Sequence, residues 1–559
     1  MYHGWSQPIN AELKMRKKVL GLFMVALFSL NNSALVADGD LSIIPWPRQI
    51  DLNSGFFAPG AGTAITHAQE LASEARYLRA GLAELTGLEL ETSADGGQMS
   101  AGTISLRLDS SSGTGPEGYR LTVTPEAVEI AASATAGVFY GIQTFLQLLP
   151  PGGPPAAGRV QVPALVIADG PRFGWRAYLL DDARWFHGVD AVRMVLEQMA
   201  RLKMNRLHWY LADDQGWRIE IMRYPKLTEI GSRRKDTQTG GWRSGQRTGE
   251  PHQGFYTQEQ VRDLVSYAAE RQITIVPVIS MPGHASAAIA SYPEMGTSGE
   301  KIEVETTFGV KYNTFNVADE CVYTFLENIL DEVMGLFPSQ VVHLGGDEVK
   351  FDQWLASEQV KALMERENLG GPAEVQRYFT NRMSRFLQSR GRRMMGWNEI
   401  LGHDLHGFLK NVGAGEIAAG SGAGKLAGNA VVNFWKGDIE LARGAAEQGY
   451  DIVNSLHSST YLDYDYESIP LEKAYAFEPI PEGLPEQYHH KVLGLGCQMW
   501  GEWIPTRQRL EYQTFPRLAA YAEVGWSQRE ARNLQKFLAR LEVQKDRWDR
   551  DGIGYADVP

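Results

Sequence analysis

Val341-Val342-His343-Leu344-Gly345-Gly346-Asp347-Glu348-Val349 is the stretch on which the reading of this chain turns. Its apolar start reads as a buried strand, its two glycines let the backbone turn sharply and approach a ligand closely, and two adjacent carboxylates follow at once. Such a pair is costly to bury idle. Neighbouring acids in a cleft push one another's pKa values apart, so that one stays ionised while the other keeps a proton at working pH. That division of labour suits the hydrolysis of a glycosidic bond. In isolation the same two residues describe the first turn of a helix, with Asp347 capping and Glu348 favouring the dipole. The rest of the chain decides between the two.

Outward from this strand the pattern is strand then helix, repeated. Candidate strands are Trp175 to Leu180, Arg206 to Leu211, Ile273 to Ile279, Val341 to Leu344, Arg393 to Trp397, Val431 to Trp435, Asp451 to Asn454 and Val492 to Met499. Apolar residues at helical spacing predict helices over Asp190 to Leu202, Thr257 to Arg271, Glu320 to Leu336, Ala373 to Gly391 and Ile439 to Gln448. Eight parallel strands with outer helices make a (β/α)8 TIM barrel, which places its chemistry on the loops after the strands' C-terminal ends. A doubly wound open sheet is the alternative, but no Gly-x-Gly-x-x-Gly turn follows any of these strands.

The predicted class is therefore α/β, with a catalytic barrel and C-terminal helical segment over residues 170–559 and a small α+β domain before it over residues 38–169. The small domain is read from β-rich runs at Thr103 to Leu108 and Tyr119 to Val123, beside helical stretches at Ala68 to Thr86 and Ala136 to Leu149. Its boundary is expected near Asp169-Gly170-Pro171. Residues 1–37 read as an export signal: Met15-Arg16-Lys17-Lys18 is a basic start, the apolar run Val19 to Leu30 is too short to span a bilayer comfortably, and cleavage is expected near Ala37. The mature chain is thus expected to have no membrane span and to act outside the cytoplasm. Cys321 and Cys497 are the two cysteines, so no disulfide framework is expected, and whether the pair bonds is left open.

The formal charge of -13 on 559 residues is moderate and mixed in sign. It disfavours a nucleic-acid partner and strong capture of an acidic substrate, and suits a neutral small molecule or glycoconjugate. Fourteen tryptophans and 22 tyrosines supply flat faces that suit sugar rings.

Polar and aromatic residues gather where a barrel needs them. Arg176 begins the first strand, Asp213-Asp214-Gln215-Gly216-Trp217-Arg218 follows the second, and Met281-Pro282-Gly283-His284 the third. Asp347-Glu348 follows the fourth, Trp397-Asn398-Glu399 the fifth, Trp435 the sixth, Tyr461-Leu462-Asp463 the seventh and Trp500-Gly501-Glu502 the eighth.

This ordered series, led by His343-Leu344-Gly345-Gly346-Asp347-Glu348-Val349, resembles glycoside hydrolase family 20, the β-N-acetylhexosaminidases. Gly137-Val138-Phe139-Tyr140-Gly141-Ile142-Gln143-Thr144 resembles the same family's accessory domain. The resemblance implies an exo-acting, retaining enzyme that removes terminal β-linked GlcNAc or GalNAc, in which the substrate's own acetamido oxygen attacks C1 and gives an oxazolinium ion. It implies Glu348 as general acid and then base, Asp347 as the ionised group steadying the acetamide, and Tyr461 as hydrogen-bond partner of the acetamido carbonyl. By the same likeness Trp397, Trp435 and Trp500 wall the sugar, Arg176, Asp463 and Glu502 hold its outer hydroxyls, and Asp213 with His284 tunes the acid. No cofactor and no metal is implied, and no zincin-like histidine spacing or calcium loop is present.

One departure stands out. Where relatives carry an acidic residue before Met-Pro-Gly-His, this chain has Val278-Ile279-Ser280, so Ser280 or Asp213 is expected to hydrogen-bond His284 instead. The glycine-rich, basic insertion between Gly231 and Gly254 either shapes a subsite or is a flexible loop, and is read as the latter. Two rivals remain at this point: a barrel glycosidase with a carboxylate nucleophile, and a non-catalytic chitooligosaccharide binder.

Overall fold

The computed structural model describes residues 41–112, 115–154, 160–416 and 423–558. The export signal and its cleavage point lie outside the described residues. Within them, no helix is long and apolar enough to cross a membrane.

The first part is a seven-stranded mixed sheet. Its strands are β1 (Gln49–Phe57), β2 (Ala64–His67), β3 (Glu91–Ser93), β4 (Thr103–Leu108), β5 (Tyr119–Val123), β6 (Val128–Ala132) and β7 (Val162–Asp169), in the order β1-β7-β5-β6-β4-β2-β3. Helices α1 (Ala72–Thr86) and α2 (Thr135–Gln147) pack together, and α2 lies on β5 and β6. The Gly-rich motif on α2 has a steric cause. A Cβ at Gly137 would stand 2.1 Å from the Gly118 carbonyl oxygen, and one at Gly141 2.5 Å from Cγ2 of Ile130, so only glycine lets the helix come this close to the sheet.

The second part is a closed parallel barrel. In chain order its strands are β8 (Trp175–Asp181), β9 (Arg206–Asp213), β10 (Thr274–Ile279), β11 (Val341–His343), β12 (Arg393–Trp397), β13 (Val431–Phe434), β14 (Asp451–Asn454) and β15 (Val492–Met499). Each pairs in parallel with the next, and β15 returns to β8 with Gly494 opposite Trp175 and Met499 opposite Leu180. Outer helices α3 (Val189–Arg201), α4 (Gln258–Ala269), α5 (Glu320–Leu336), α6 (Pro372–Ser389) and α7 (Ile439–Glu447) follow the apolar spacing, each burying one face. Thr257 and Gln260 close a reciprocal capping box at the start of α4, and Pro372 opens α6, where its missing N–H costs nothing. Two further helices, α8 (Arg517–Trp526) and α9 (Leu534–Asp551), follow β15.

Inside the barrel Trp175, Ala177, Val276, Val341, Met395, Val431 and Val453 form an apolar plug. Among them stand His208 and His343, both fully buried. Burial holds His208 down to about 3 and pushes His343 well below the usual imidazole range, so both rings are neutral packing groups.

The two parts are joined by buried charge, and here one expectation fails. Arg176 is not among the loops at the barrel mouth. It sits at the start of β8, hence at the barrel end opposite the catalytic loops, and is fully buried. There it pairs with Glu117 of the small domain at 3.0 Å and donates to the carbonyl oxygens of Phe173 and Lys203. Beside it, Asp169 Oδ2 at the end of β7 accepts from Tyr119, from the Lys203 ammonium and from the Trp526 indole N–H. Cys321 is exposed, Cys497 is buried, and both thiols are free.

Candidate active site

The turn after β11 is built from its own residues. His343 Nδ1 accepts the Gly345 N–H at 3.0 Å, and Gly345 and Gly346 then take φ values of 67° and 88°. A Cβ on Gly345 would lie 2.8 Å from Ser280 Oγ, so both the backbone angle and the space demand glycine. The turn delivers Asp347 and Glu348 to the barrel mouth. Glu348 and His284 each have φ 52°, a left-handed backbone that non-glycine residues rarely hold and that concentrates at functional sites.

His284 ties the carboxylates together. Its Nε2 lies 3.6 Å from Asp347 Oδ2 and 3.6 Å from Glu348 Oε2, while its Nδ1 lies 3.3 Å from both Asp213 Oδ1 and Asp214 Oδ2. Asp213 therefore faces the ring as expected, and Asp214, which sequence reasoning did not single out, shares the role. Ser280 does not reach it: its hydroxyl donates to Tyr210, whose own hydroxyl donates to Asp213. Burial alone would lower the His284 pKa, but the Asp213 carboxylate, Tyr210 and Asp347 outweigh it and hold the ring well above the usual imidazole range. His284 is thus an imidazolium set between two pairs of acids.

Burial, helped by the charges of Glu399 and Glu348, pushes Asp347 up to about 7 against the pull of His284. Burial raises Glu348 too, but the hydrogen bond and charge of His284, with the Lys436 charge adding to them, bring it below the usual carboxylate range. Among the protein's own groups the shared proton therefore favours Asp347, the reverse of the division that the resemblance implies.

Beside Asp347 four aromatic rings close into a box. Centroids of Trp397 and Trp500 are 5.7 Å apart, Trp500 and Tyr461 6.1 Å, Tyr461 and Trp435 6.0 Å with planes 7° apart, and Trp435 and Trp397 6.4 Å. Among the described residues, Asp347 Oδ1, Trp397 Nε1 and Asp463 Oδ1 are buried polar atoms with no hydrogen bond inside the protein. Buried groups of this kind need a partner.

The arginine of the site is Arg184, in the loop after β8. Its guanidinium donates to Asp181 at 2.8 Å and pairs with Asp213 at 2.9 Å and Glu502 at 3.7 Å, lying over the Trp500 ring at 5.2 Å. Burial raises Asp463 well above the usual carboxylate range, with Glu502 adding to it, and raises Glu502, so this corner is dense in acid.

Residues 231–254 are held rather than loose. Arg234 and Arg218 are buried and donate to the carbonyl oxygens of Arg184, Gln215, Asp182, Ala183, Ser232 and Gly254, which fixes the loop carrying Arg184. Sequence reasoning also missed His406 and Lys436. His406 Nδ1 is 3.6 Å from Glu348 Oε1, its Nε2 is 3.2 Å from Glu399 Oε1, and the Lys436 ammonium stands 3.1 Å from Nδ1.

Two triads, Asp213 with Asp214 and His284, and His284 with Asp347 and Glu348, bring three potential ligand atoms within 4.8 Å of one another. In the first, Asp213 is engaged by Arg184 and Tyr210, and Asp214 accepts the N–H and hydroxyl of Ser286. With His284 cationic between them, both triads read as a proton network.

Residues 173–529 match the family description "Glycosyl hydrolase family 20, catalytic domain", and residues 40–170 match "Glycosyl hydrolase family 20, domain 2". The chain is 35% identical over 535 residues to a beta-hexosaminidase of Porphyromonas gingivalis, covering 93% of this chain and 64% of that protein, just under two thirds of its length. It is 34% identical over 509 residues to a beta-hexosaminidase of Vibrio furnissii, covering 87% and 76%. Among solved structures, the exo beta-N-acetylglucosaminidase of Vibrio harveyi in complex with N-acetylglucosamine superposes with a TM-score of 0.79 at 30% identity, covering 96% of this chain and 81% of that one. The Streptomyces plicatus N-acetyl-beta-hexosaminidase in complex with Thio-NAglucal gives 0.76 at 30% identity, covering 94% and 97%. The two matched segments run through the small domain and the barrel alike, and on that coverage the chain belongs to glycosyl hydrolase family 20.

Proposed function

We propose that this chain is a retaining, exo-acting β-N-acetylhexosaminidase that removes terminal β-linked GlcNAc or GalNAc by substrate-assisted catalysis. The observation that carries the reading is the set of four aromatic rings together with the unpartnered Asp347 Oδ1, whose charge is felt at Tyr461 of that set. An acetamido group folded under C1 matches it: the methyl meets the rings, the N–H donates to Asp347 Oδ1, and the Tyr461 hydroxyl donates to the carbonyl oxygen that attacks C1. Arg184, Asp463 and Glu502 then hold the hydroxyls at the far end of the ring. The beta-hexosaminidase relatives and the N-acetylglucosamine bound in the Vibrio harveyi structure support this substrate class.

The protonation order fits once the sugar is counted. An N–H donated to Asp347 favours its ionised form, as does the positive charge that develops on the acetamide. The proton then belongs on Glu348, and the His284 ring, 3.6 Å from each carboxyl, lies between the two. Glu348 gives that proton to the leaving oxygen as the oxazolinium ring closes, then takes one from the water that opens it.

The test is hydrolysis of paired aryl glycosides with and without the 2-acetamido group, with the anomer of the first-formed sugar followed by NMR. Turnover confined to the N-acetyl substrate with a β product is expected. Equal turnover of the plain glucoside would replace this reading with a carboxylate nucleophile, and no turnover of either by folded protein would leave a binding protein.

A further inference from the structure

Glu348 has a second neighbour besides His284, supplied by this chain's long loop after β12. His406 is wedged in place, stacked on Phe408 at 5.1 Å with planes 24° apart and lying 5.6 Å from Trp435. Its tautomer follows from its partners. The Lys436 ammonium 3.1 Å from Nδ1 has only hydrogens to offer, so Nδ1 is an acceptor and Nε2 carries the hydrogen donated to Glu399. An Nδ1 that accepts from Lys436 has no hydrogen to donate to Glu348 Oε1, 3.6 Å away. The Lys436 charge stands at the same ring nitrogen that faces the carboxylate.

Lys436 is itself held by its backbone. Asn398 Nδ2 donates to the Lys436 carbonyl oxygen at 2.9 Å, and Asn398 Oδ1 accepts the Trp435 and Lys436 N–H groups. Among the described residues Lys436 pairs with no carboxylate of its own. Glu399 is occupied by the Trp435 indole N–H at 2.9 Å and by His406. The groups around Glu348 are thus His284 and Asp347, and His406 with Glu399 and Lys436 at its two ring nitrogens.

We infer that Lys436, acting through the His406 ring, is a positioning residue that keeps Glu348 ionised during the half of the cycle in which it activates water. The inference rests on the reading of Glu348 as acid and then base. His284 also serves Asp347, so it cannot follow the charge of Glu348 alone, whereas His406 reaches Glu348 directly and Lys436 stands at its Nδ1. The direction of the Glu348 shift, lowered in part by the Lys436 charge, agrees with this role.

The experiment compares wild type, Lys436→Met, Lys436→Gln and Lys436→Arg on an activated nitrophenyl N-acetylglucosaminide and on chitobiose, across pH. Losing the cation lets Glu348 keep its proton to higher pH. The alkaline limb of kcat/KM on chitobiose is expected to move up by about one pH unit in both neutral variants. At acid pH, kcat on the activated substrate, where water attack limits, is expected to fall several-fold with KM nearly unchanged, and Lys436→Arg is expected to restore both. A uniform loss of kcat with unmoved limbs in the two neutral variants, or a change confined to KM for chitobiose, would overturn the inference. Wild-type protein that turns over neither substrate would instead remove the reading of Glu348 on which it rests.

Discussion

Arg184 and Asp213 form a 2.9 Å ion pair at the barrel mouth with both side chains buried. The same guanidinium reaches Asp181, Gln215 and Glu502, so it presents a fixed fork. Arg184→Lys keeps the charge and loses the fork, and kcat/KM is expected to fall by about 10²-fold or more, the loss of two charge-assisted bonds. Arg176→Met is expected to do the opposite: the folded enzyme keeps its kcat/KM, while removing one partner of a buried pair lowers stability by about 3–5 kcal/mol. Steady-state kinetics beside thermal unfolding of the two variants separates the roles.

Glu348→Gln removes the proton donor and is expected to cost about 10²–10⁴-fold in kcat on substrates with poor leaving groups. The loss shrinks for leaving groups that depart without a proton, so a series of aryl glycosides of graded acidity should show a steeper dependence on the leaving group in the variant. Equal losses across the series would remove Glu348 from the acid role.

Asp347 is raised from the ordinary carboxylate range to about 7. Between the unfolded value near 4 and the folded value near 7 the folded protein holds the extra proton, so stability from this group is full below about 4 and is lost as pH rises through about 7. Asp347→Asn, which carries no charge to lose, is expected to melt above wild type at pH 8 by about 1–3 kcal/mol, and by less at pH 5, while losing most activity. A melting difference that is the same at both pH values would contradict the raised carboxyl.

The barrel was legible because each strand is a short apolar run with a breaker after it, and each helix shows its period. The site was legible where its residues end or closely follow a strand: Trp397 ends β12, Trp435 and Trp500 come next after β13 and β15, and His284, Asp347 and Glu348 come in the turns after β10 and β11. Arg176 was misplaced by position within a strand. It opens β8 and therefore lies at the far end, whereas Arg184 lies in the loop that follows that strand. Asp214 was overlooked because the residue beside it already filled the role. His406 lies in a loop with no period, and its contact with Glu348 spans 58 residues that no local pattern connects. Residues 231–254 looked loose because glycines and cations suggest solvent, yet Arg234 spends its hydrogen bonds on backbone carbonyls inside the protein.

The seam between Asp169 and the barrel has a consequence for modularity. Tyr119, Lys203 and Trp526 come from three segments far apart in sequence and converge on a single carboxylate oxygen, while Glu117 neutralises Arg176. Cutting the chain at Gly170 would strand a lysine, an arginine and an indole at the underside of the catalytic half with nothing to answer them. The barrel is therefore not a detachable cassette, and fusions or transplants that carry the chemistry must carry the small domain with it.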